Sequence, residues 1–311
     1  RAIAFSEQVL QLADPDSALR PLCWSLLGQA RYQLGDYRAA EQAYRQALAS
    51  TASGDAQYAV LEKGLAASLY SQAEQNRQRG DLTQSSQLFQ RAAEASSDPA
   101  IRGQARYDAA ADLLAREDWR QAALVLEKFR TEQPQHPLQP EALRKLAFAY
   151  EQDGRDMAAA SEYRRLAATS GDQELRREAL LRAAALYQRA GNSASAIDVL
   201  KVYSDAYPHP PERLVEVYHR LATLYQADGD EVQRRHWLTR LIAADKVAGD
   251  AADQRSHTLA AQASLVLAER QLVKFRRIEL VEPLQTTLSD KLQALRTALE
   301  AFEQANSYDV P

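Results

Sequence analysis

The sequence predicts an all-α protein built as an array of stacked helical hairpins. Two observations carry this. Ala and Leu dominate the 311 residues, Gly numbers only 11, and runs of aromatic or β-branched residues are few. That composition favours helix throughout. In addition, four classes of position recur in phase. Candidate turn residues stand at Gly35, Gly80, Glu117, Gly154, Gly191 and Gly229, separated by 45, 37, 37, 37 and 38 residues. Small residues of the first helices stand at Gly28, Ala73, Ala110, Ala147, Ala184 and Ala222, with the same five intervals. Small residues of the second helices stand at Ala40, Ser85, Ala122, Ala159 and Ala196, followed by Arg234 out of character. Large apolar residues follow at Tyr44, Phe89, Leu126, Tyr163, Leu200 and Leu238. Four classes sharing one interval set predict six homologous hairpins across residues 17–245.

Each class has a physical role. Small residues let helix axes approach to about 8 Å. Gly at a helix end takes the left-handed conformation without a Cβ clash. The large residue fills the space between one hairpin and the next. No hairpin buries its apolar face alone, so neighbours must stack.

Residues 1–16 hold the second helix of a truncated repeat, RAIAFSEQVLQL, before Asp14-Pro15 opens the next unit. Asp caps helices and Pro is tolerated in a first turn. Trp24 to Leu48 forms the first full hairpin. Residues 55–79 form one helix of about seven turns, which accounts for the 45-residue interval. Pro opens later first helices at Asp98-Pro99, Pro137, Pro140 and Pro210-Pro211. A left-handed non-Gly residue costs about 1 kcal/mol, so the turn at Glu117 is expected to be rebuilt. Beyond 245 the pattern decays. Residues 247–254 are expected to form a loop. A long helix follows over 256–281, Pro283 interrupts, and 284–305 is helical again. Residues 246–311 thus form longer C-terminal helices. The chain begins at Arg1 and ends at Asp309-Val310-Pro311 without a polar cap, so a longer natural protein is expected.

The first hairpin carries Trp24, Leu27, Gly28, Tyr32, Gly35, Tyr37, Ala40, Tyr44 and Ala47. This resembles the tetratricopeptide signature W-x2-L-G-x2-Y…A-x3-F. Arg31 stands where the first helix usually has its Tyr, with Tyr32 one place later, and no Pro follows Ala47. The resemblance implies a right-handed superhelical solenoid and a binding scaffold. It names no ligand, because function sits in sites grafted onto a fold. The segments 129–154, with F-x4-P…EAL…A-x2-Y-x3-G, and 203–229 resemble repeats of bacterial cell-envelope tetratricopeptide proteins. Those relatives include the barrel-assembly lipoprotein, the Tol-Pal coordinator and TonB-associated proteins. The resemblance implies a periplasmic or envelope location, with the cytoplasm as the alternative.

The charge of −4 gives no basic footprint for nucleic acid. No run approaches the ~18 apolar residues of a membrane span. The single cysteine, Cys23, excludes an intramolecular disulfide and is expected to be a buried thiol. The histidines, His136, His209, His219, His236 and His257, show no pairing at metal-ligand spacing, and CxxC and HExxH are missing. No catalytic constellation, metal site or cofactor is expected.

Three functions remain open: a scaffold binding a partner protein or peptide, a regulatory segment of a larger chain, and a self-assembling element. The co-chaperone carboxylate clamp is excluded, because its places hold Ser25 and Gln29, Tyr70 and Glu74, and Tyr107 and Ala111. Trp24, Tyr32, Tyr44, Phe89, Tyr163 and Tyr187 are expected in the core. In tetratricopeptide arrays the first helices line the concave face. Projecting that face gives candidate partner contacts at Tyr70, Glu74, Arg77, Tyr107, Arg144, Phe148, Glu151 and His219. Tyr70, Tyr107, Arg144, Leu181 and His219 occupy equivalent places on successive hairpins.

Overall fold

A computed structural model describes residues 1–14, 17–282 and 284–308. Pro15, the Pro283 break and the terminal Asp309-Val310-Pro311 lie outside the described residues. Among the described residues there are fifteen α-helices, one short 3-10 turn and no strand. The chain divides into two compact units, Arg1–Gly171 and Asp172–Pro311.

The first unit holds α1 (Ala2–Leu12), α2 (Leu19–Gln33), α3 (Tyr37–Ala49), α4 (Tyr58–Gln78) and α5 (Leu82–Glu94). It continues with α6 (Pro99–Ala115), α7 (Trp119–Glu132), α8 (Gln139–Gln152) and α9 (Asp156–Thr169). Each helix packs on the next, and α4 also touches α2 and α6. The second unit holds α10 (Gln173–Arg189), α11 (Ser193–Ala206), α12 (Glu212–Ala227), α13 (Glu231–Ala248), α14 (Gln254–Arg277) and α15 (Leu284–Asn306). Here α14 packs on α12, α13 and α15.

One device builds six of the helix–helix turns. Gly35, Gly80, Glu117, Gly154, Gly191 and Gly229 all have φ between 60° and 82°. The N–H of the following residue reaches back five positions to a helix carbonyl: Asp36 to Arg31, Asp81 to Asn76, Asp118 to Leu113, Arg155 to Tyr150, Asn192 to Tyr187 and Asp230 to Tyr225. This is the Schellman bond that closes a helix C-terminus. In five of the six turns the same residue then caps the second helix. The side chains of Asp36, Asp81, Asp118, Asn192 and Asp230 accept from backbone N–H groups of Ala39, Gln84, Gln121, Ser195 and both Val232 and Gln233. Gly-Asp therefore ends one helix and starts the next in two residues. Glu117 keeps this turn at φ 60° instead of rebuilding it. Its Schellman bond and the Asp118 cap outweigh the local strain.

The small residues lie where helices cross. Gly28, Ala73, Ala110, Ala147, Ala184 and Ala222 are all buried, as are Ala40, Ser85, Ala122, Ala159 and Ala196. Arg234 is half-buried and pairs with Glu231 at 3.0 Å. The ring of Tyr44 is held between two glycines. A Cβ on Gly28 would come within 3.0 Å of the ring, and one on Gly64 within 2.4 Å. Tyr44, Phe89 and Tyr187 are core residues, and Cys23 is buried. Trp24, Tyr32 and Tyr163 are only half-buried, which corrects the core assignment. For Tyr32 the cause is visible: its hydroxyl lies 3.2 Å from the Ser71 hydroxyl on α4, a polar contact at the helix edge.

The long second-hairpin helix spans 58–78 rather than 55–79, with the Asp55 carboxylate accepting from the Gln57 N–H at 2.7 Å. The expected loop at 247–254 is shorter. Helix α13 runs to Ala248, a 3-10 turn spans Gly249–Ala251, and Asp253 caps α14.

Candidate protein-interaction surface

The first-helix residues Tyr70 and Arg77 stand on α4, facing α6. Their partners are Asp108 and Asp112, one turn apart on α6. The Tyr70 hydroxyl donates to Asp108 Oδ2 at 2.5 Å. Arg77 Nε donates to Asp112 Oδ1 at 2.7 Å, and its other nitrogens reach Asp108 Oδ1 at 3.4 Å and the Asp108 carbonyl at 2.9 Å. Asp112 is 3% exposed and takes a further hydrogen bond from the Ser85 hydroxyl at 2.5 Å. Phe89 closes the cluster. Arg77 lies over its ring at 4.4 Å, and the Tyr70 ring meets it edge-on at 4.8 Å. Burial first, then the Asp108 hydrogen bond and charge, raise the Tyr70 pKa well above its ordinary value. These contacts join α4, α5 and α6. Two of the sequence candidates are therefore bound up in holding neighbouring hairpins together.

Tyr107 on α6 repeats the arrangement more loosely. Its ring lies 6.3 Å from that of Phe129, and the Lys145 ammonium stands 5.5 Å above it. Burial, then a hydrogen bond to Glu141 of α8, raise its pKa. Tyr32–Ser71, Tyr70–Asp108 and Tyr107–Glu141 thus form a series linking α2, α4, α6 and α8.

The series changes character at α8. Arg144 is exposed, and among the described residues no carboxylate pairs with it. Phe148, one turn further, is 42% exposed and meets the half-buried Trp119 ring edge-on at 5.6 Å. Glu74 is exposed on α4. Glu151 is 8% exposed, so it is not an outward contact. It stands in the last turn of α8, where the chain folds back into α9 through Gly154.

His219 belongs to the second unit, on α12. Burial, aided by Arg255 and Arg220 and opposed by Glu216, lowers its pKa below the ordinary 6.5. Glu216 receives Arg255 at 3.2 Å and Arg220 at 3.4 Å. Burial raises the Glu216 carboxyl, but those two guanidiniums outweigh it and leave its pKa lowered.

Sequence reasoning missed Asp108, Asp112, Glu141 and Trp119. A signal for the first two existed: acids at i and i+4 on the helix one repeat after an Arg. Among the described residues, no group of three or more His, Cys, Asp or Glu side chains is arranged to hold a metal, and no helix is long and apolar enough to cross a membrane.

Two stretches match family models described as Tetratricopeptide repeat, residues 21–51 and 178–209. They fall on α2–α3 and on α10–α11. Those two stretches are therefore tetratricopeptide repeats, the repeat type of protein-interaction scaffolds. Solved structures similar to it include the C-terminal part of a tetratricopeptide repeat protein from Cytophaga hutchinsonii, 13% identical, covering 83% of this chain and 92% of that one, with a TM-score of 0.39. Another is YrrB, a tetratricopeptide repeat protein with an unusual peptide-binding site, 16% identical over 68% of this chain and 95% of that one, TM-score 0.34. A third is PilF of Pseudomonas aeruginosa, 13% identical over 71% and 90%, TM-score 0.32. Among curated proteins, none matches the sequence.

Proposed function

We propose that the chain scaffolds a protein complex by binding a partner segment on the first-helix face of its first unit, centred on Arg144 and Phe148. One observation carries this reading. Arg144 and Phe148 are the places on that face where an uncompensated guanidinium and an exposed aromatic ring stand one helical turn apart. Arg and aromatic side chains dominate interface hot spots. Trp119 supports Phe148 from beside it, so the ring is preorganised and little rotamer freedom is lost on binding. The Tyr70 hydroxyl and the Arg77 guanidinium, by contrast, are already engaged by Asp108 and Asp112 of α6. The wording of segments 129–154 and 203–229 supports placing this scaffold in a bacterial cell-envelope complex.

The test compares Arg144→Ala and Phe148→Ala with the parent. Arg144 is exposed, so Arg144→Ala should change stability by no more than about 0.5 kcal/mol, whereas Phe148→Ala also gives up the edge-on contact with Trp119 and should cost about 0.5–1.5 kcal/mol. Recovery of the cognate partner from native extract should fall strongly for each. Undiminished recovery by both variants would sink the assignment. Fractionation of the native host tests the envelope location, and a purely cytoplasmic signal would refute it.

A further inference from the structure

We infer that the groove between α13 and α14, in the second unit, binds an acidic amphipathic segment of a partner protein. This groove has a volume of about 530 Å³. Arg234 and Arg235 line it from α13, and Arg270, Lys274 and Arg277 line it from α14. Only Glu231 and Glu269 line it with opposite charge. A chain of net charge −4 has thus gathered five cations around one depression.

The positions of these cations call for a ligand. Arg234 and Arg235 stand in the first two turns of α13, where the helix dipole disfavours positive charge. Glu231 steadies both, accepting from Arg234 at 3.0 Å and, through its carbonyl, from Arg235 Nε at 2.8 Å. That leaves the opposite wall. Arg270, Lys274 and Arg277 are exposed, and among the described residues none has an ion-pair partner. The C-terminal dipole of α14 accounts for Lys274 and Arg277. It does not reach Arg270, two turns before the helix end.

The geometry selects the kind of ligand. Arg270, Lys274 and Arg277 follow i, i+4, i+7 on one face and span about 10 Å along the axis. Guanidinium forks match carboxylates in paired hydrogen bonds. The same groove is walled by Leu238, Val266, Leu267 and Val273, the last 44% exposed. An acidic helix or strand with interleaved apolar side chains satisfies both walls. A nucleic acid backbone offers no apolar partner to these residues.

The probe is a fluorescent 15-residue peptide with Glu at i, i+4 and i+7 and Leu between, measured by anisotropy against the whole 311-residue chain. Its control replaces each Glu with Gln. The expected result is saturable binding of the Glu peptide and at least tenfold weaker binding of the Gln peptide. The double variant Arg270→Ala/Lys274→Ala should weaken the Glu peptide at least tenfold. Arg276→Ala, on α14 but outside the groove, should leave it unchanged. If the double variant loses its circular dichroism signal, Arg277→Gln provides the same readout. Equal binding of both peptides, equal loss from Arg276→Ala, or tighter binding of a single-stranded oligonucleotide or of anionic vesicles would each overturn the inference.

Discussion

Replacing Gly64 with Ala tests the packing between the first two full hairpins. Inside a helix, Ala is favoured over Gly by about 1 kcal/mol. At an open site this change would stabilise. At position 64 the new Cβ would lie 2.4 Å from Cε1 and Cζ of Tyr44 and 2.9 Å from Cδ1. The ring cannot retreat. Gly28 stands on its other side with a Cβ position 3.0 Å from Cε2, and Tyr44 is only 8% exposed. Forcing an extra methyl into such a site costs about 1–3 kcal/mol in displaced side chain and backbone. This steric term offsets the propensity gain, so the net expectation is a loss of up to roughly 2 kcal/mol. Tyr44→Ala alone should cost about 3–5 kcal/mol, as large aromatic deletions do. In that background the clash is gone, and Gly64→Ala should be neutral or stabilising by up to about 1 kcal/mol. The coupling is then the steric term itself, on the order of 1–3 kcal/mol, within the range for residues in contact. Urea unfolding of the four proteins, at matched m-values, measures it. Stabilisation by Gly64→Ala in the parent, or an equal effect in both backgrounds, would refute the sandwich.

The remaining predictions concern the turns, the ion network and pH. Glu117→Gly relieves a left-handed non-Gly residue and should stabilise by roughly 0.5–1 kcal/mol; a destabilised variant would show that the Glu side chain contributes to the turn. Arg77→Met leaves Asp112 buried with only Ser85 and should cost about 2–3 kcal/mol in urea unfolding, since stranding a buried carboxylate is expensive; a change under about 0.5 kcal/mol would mean the cluster is held by packing alone. His219 has a lowered pKa, so between its folded value and the ordinary 6.5 the unfolded chain binds the extra proton. Stability should therefore be complete above pH 6.5 and fall as pH drops through the folded value, and His219→Gln should flatten that decline. An unchanged pH profile in the variant would place the titration elsewhere.

Much of the fold was legible because it depends on residues that repeat. The left-handed turn residues and the buried small residues recur with the hairpins, so a fixed interval exposes them. Arg77 with Asp108 and Asp112 was harder to see. Its partners lie 31 and 35 residues away, and a fixed interval that picks out turn and small residues does not pair an Arg with two acids on another helix. Glu117 was misjudged because local strain was weighed without the Schellman bond and the Asp118 cap that offset it. Glu151 was misjudged because helical projection from Arg144 ignores the chain folding back over the last turn of α8. Tyr70 and Tyr107 share the repeat register of Arg144, but only the structure shows that their hydroxyls are committed to the next hairpin. Projection gives a direction, whereas the availability of a side chain depends on its partners.

If the Arg144–Phe148 patch contacts another protein, a partner lies within reach of position 148. A photo-cross-linking amino acid placed at Phe148 in the native host addresses it directly. The control site is Leu124, on the second helix α7 and 43% exposed. Irradiation should join position 148, and not position 124, to a discrete protein partner, and Arg144→Ala should abolish the adduct. Adducts of equal yield at both sites, or none at 148, would contradict it.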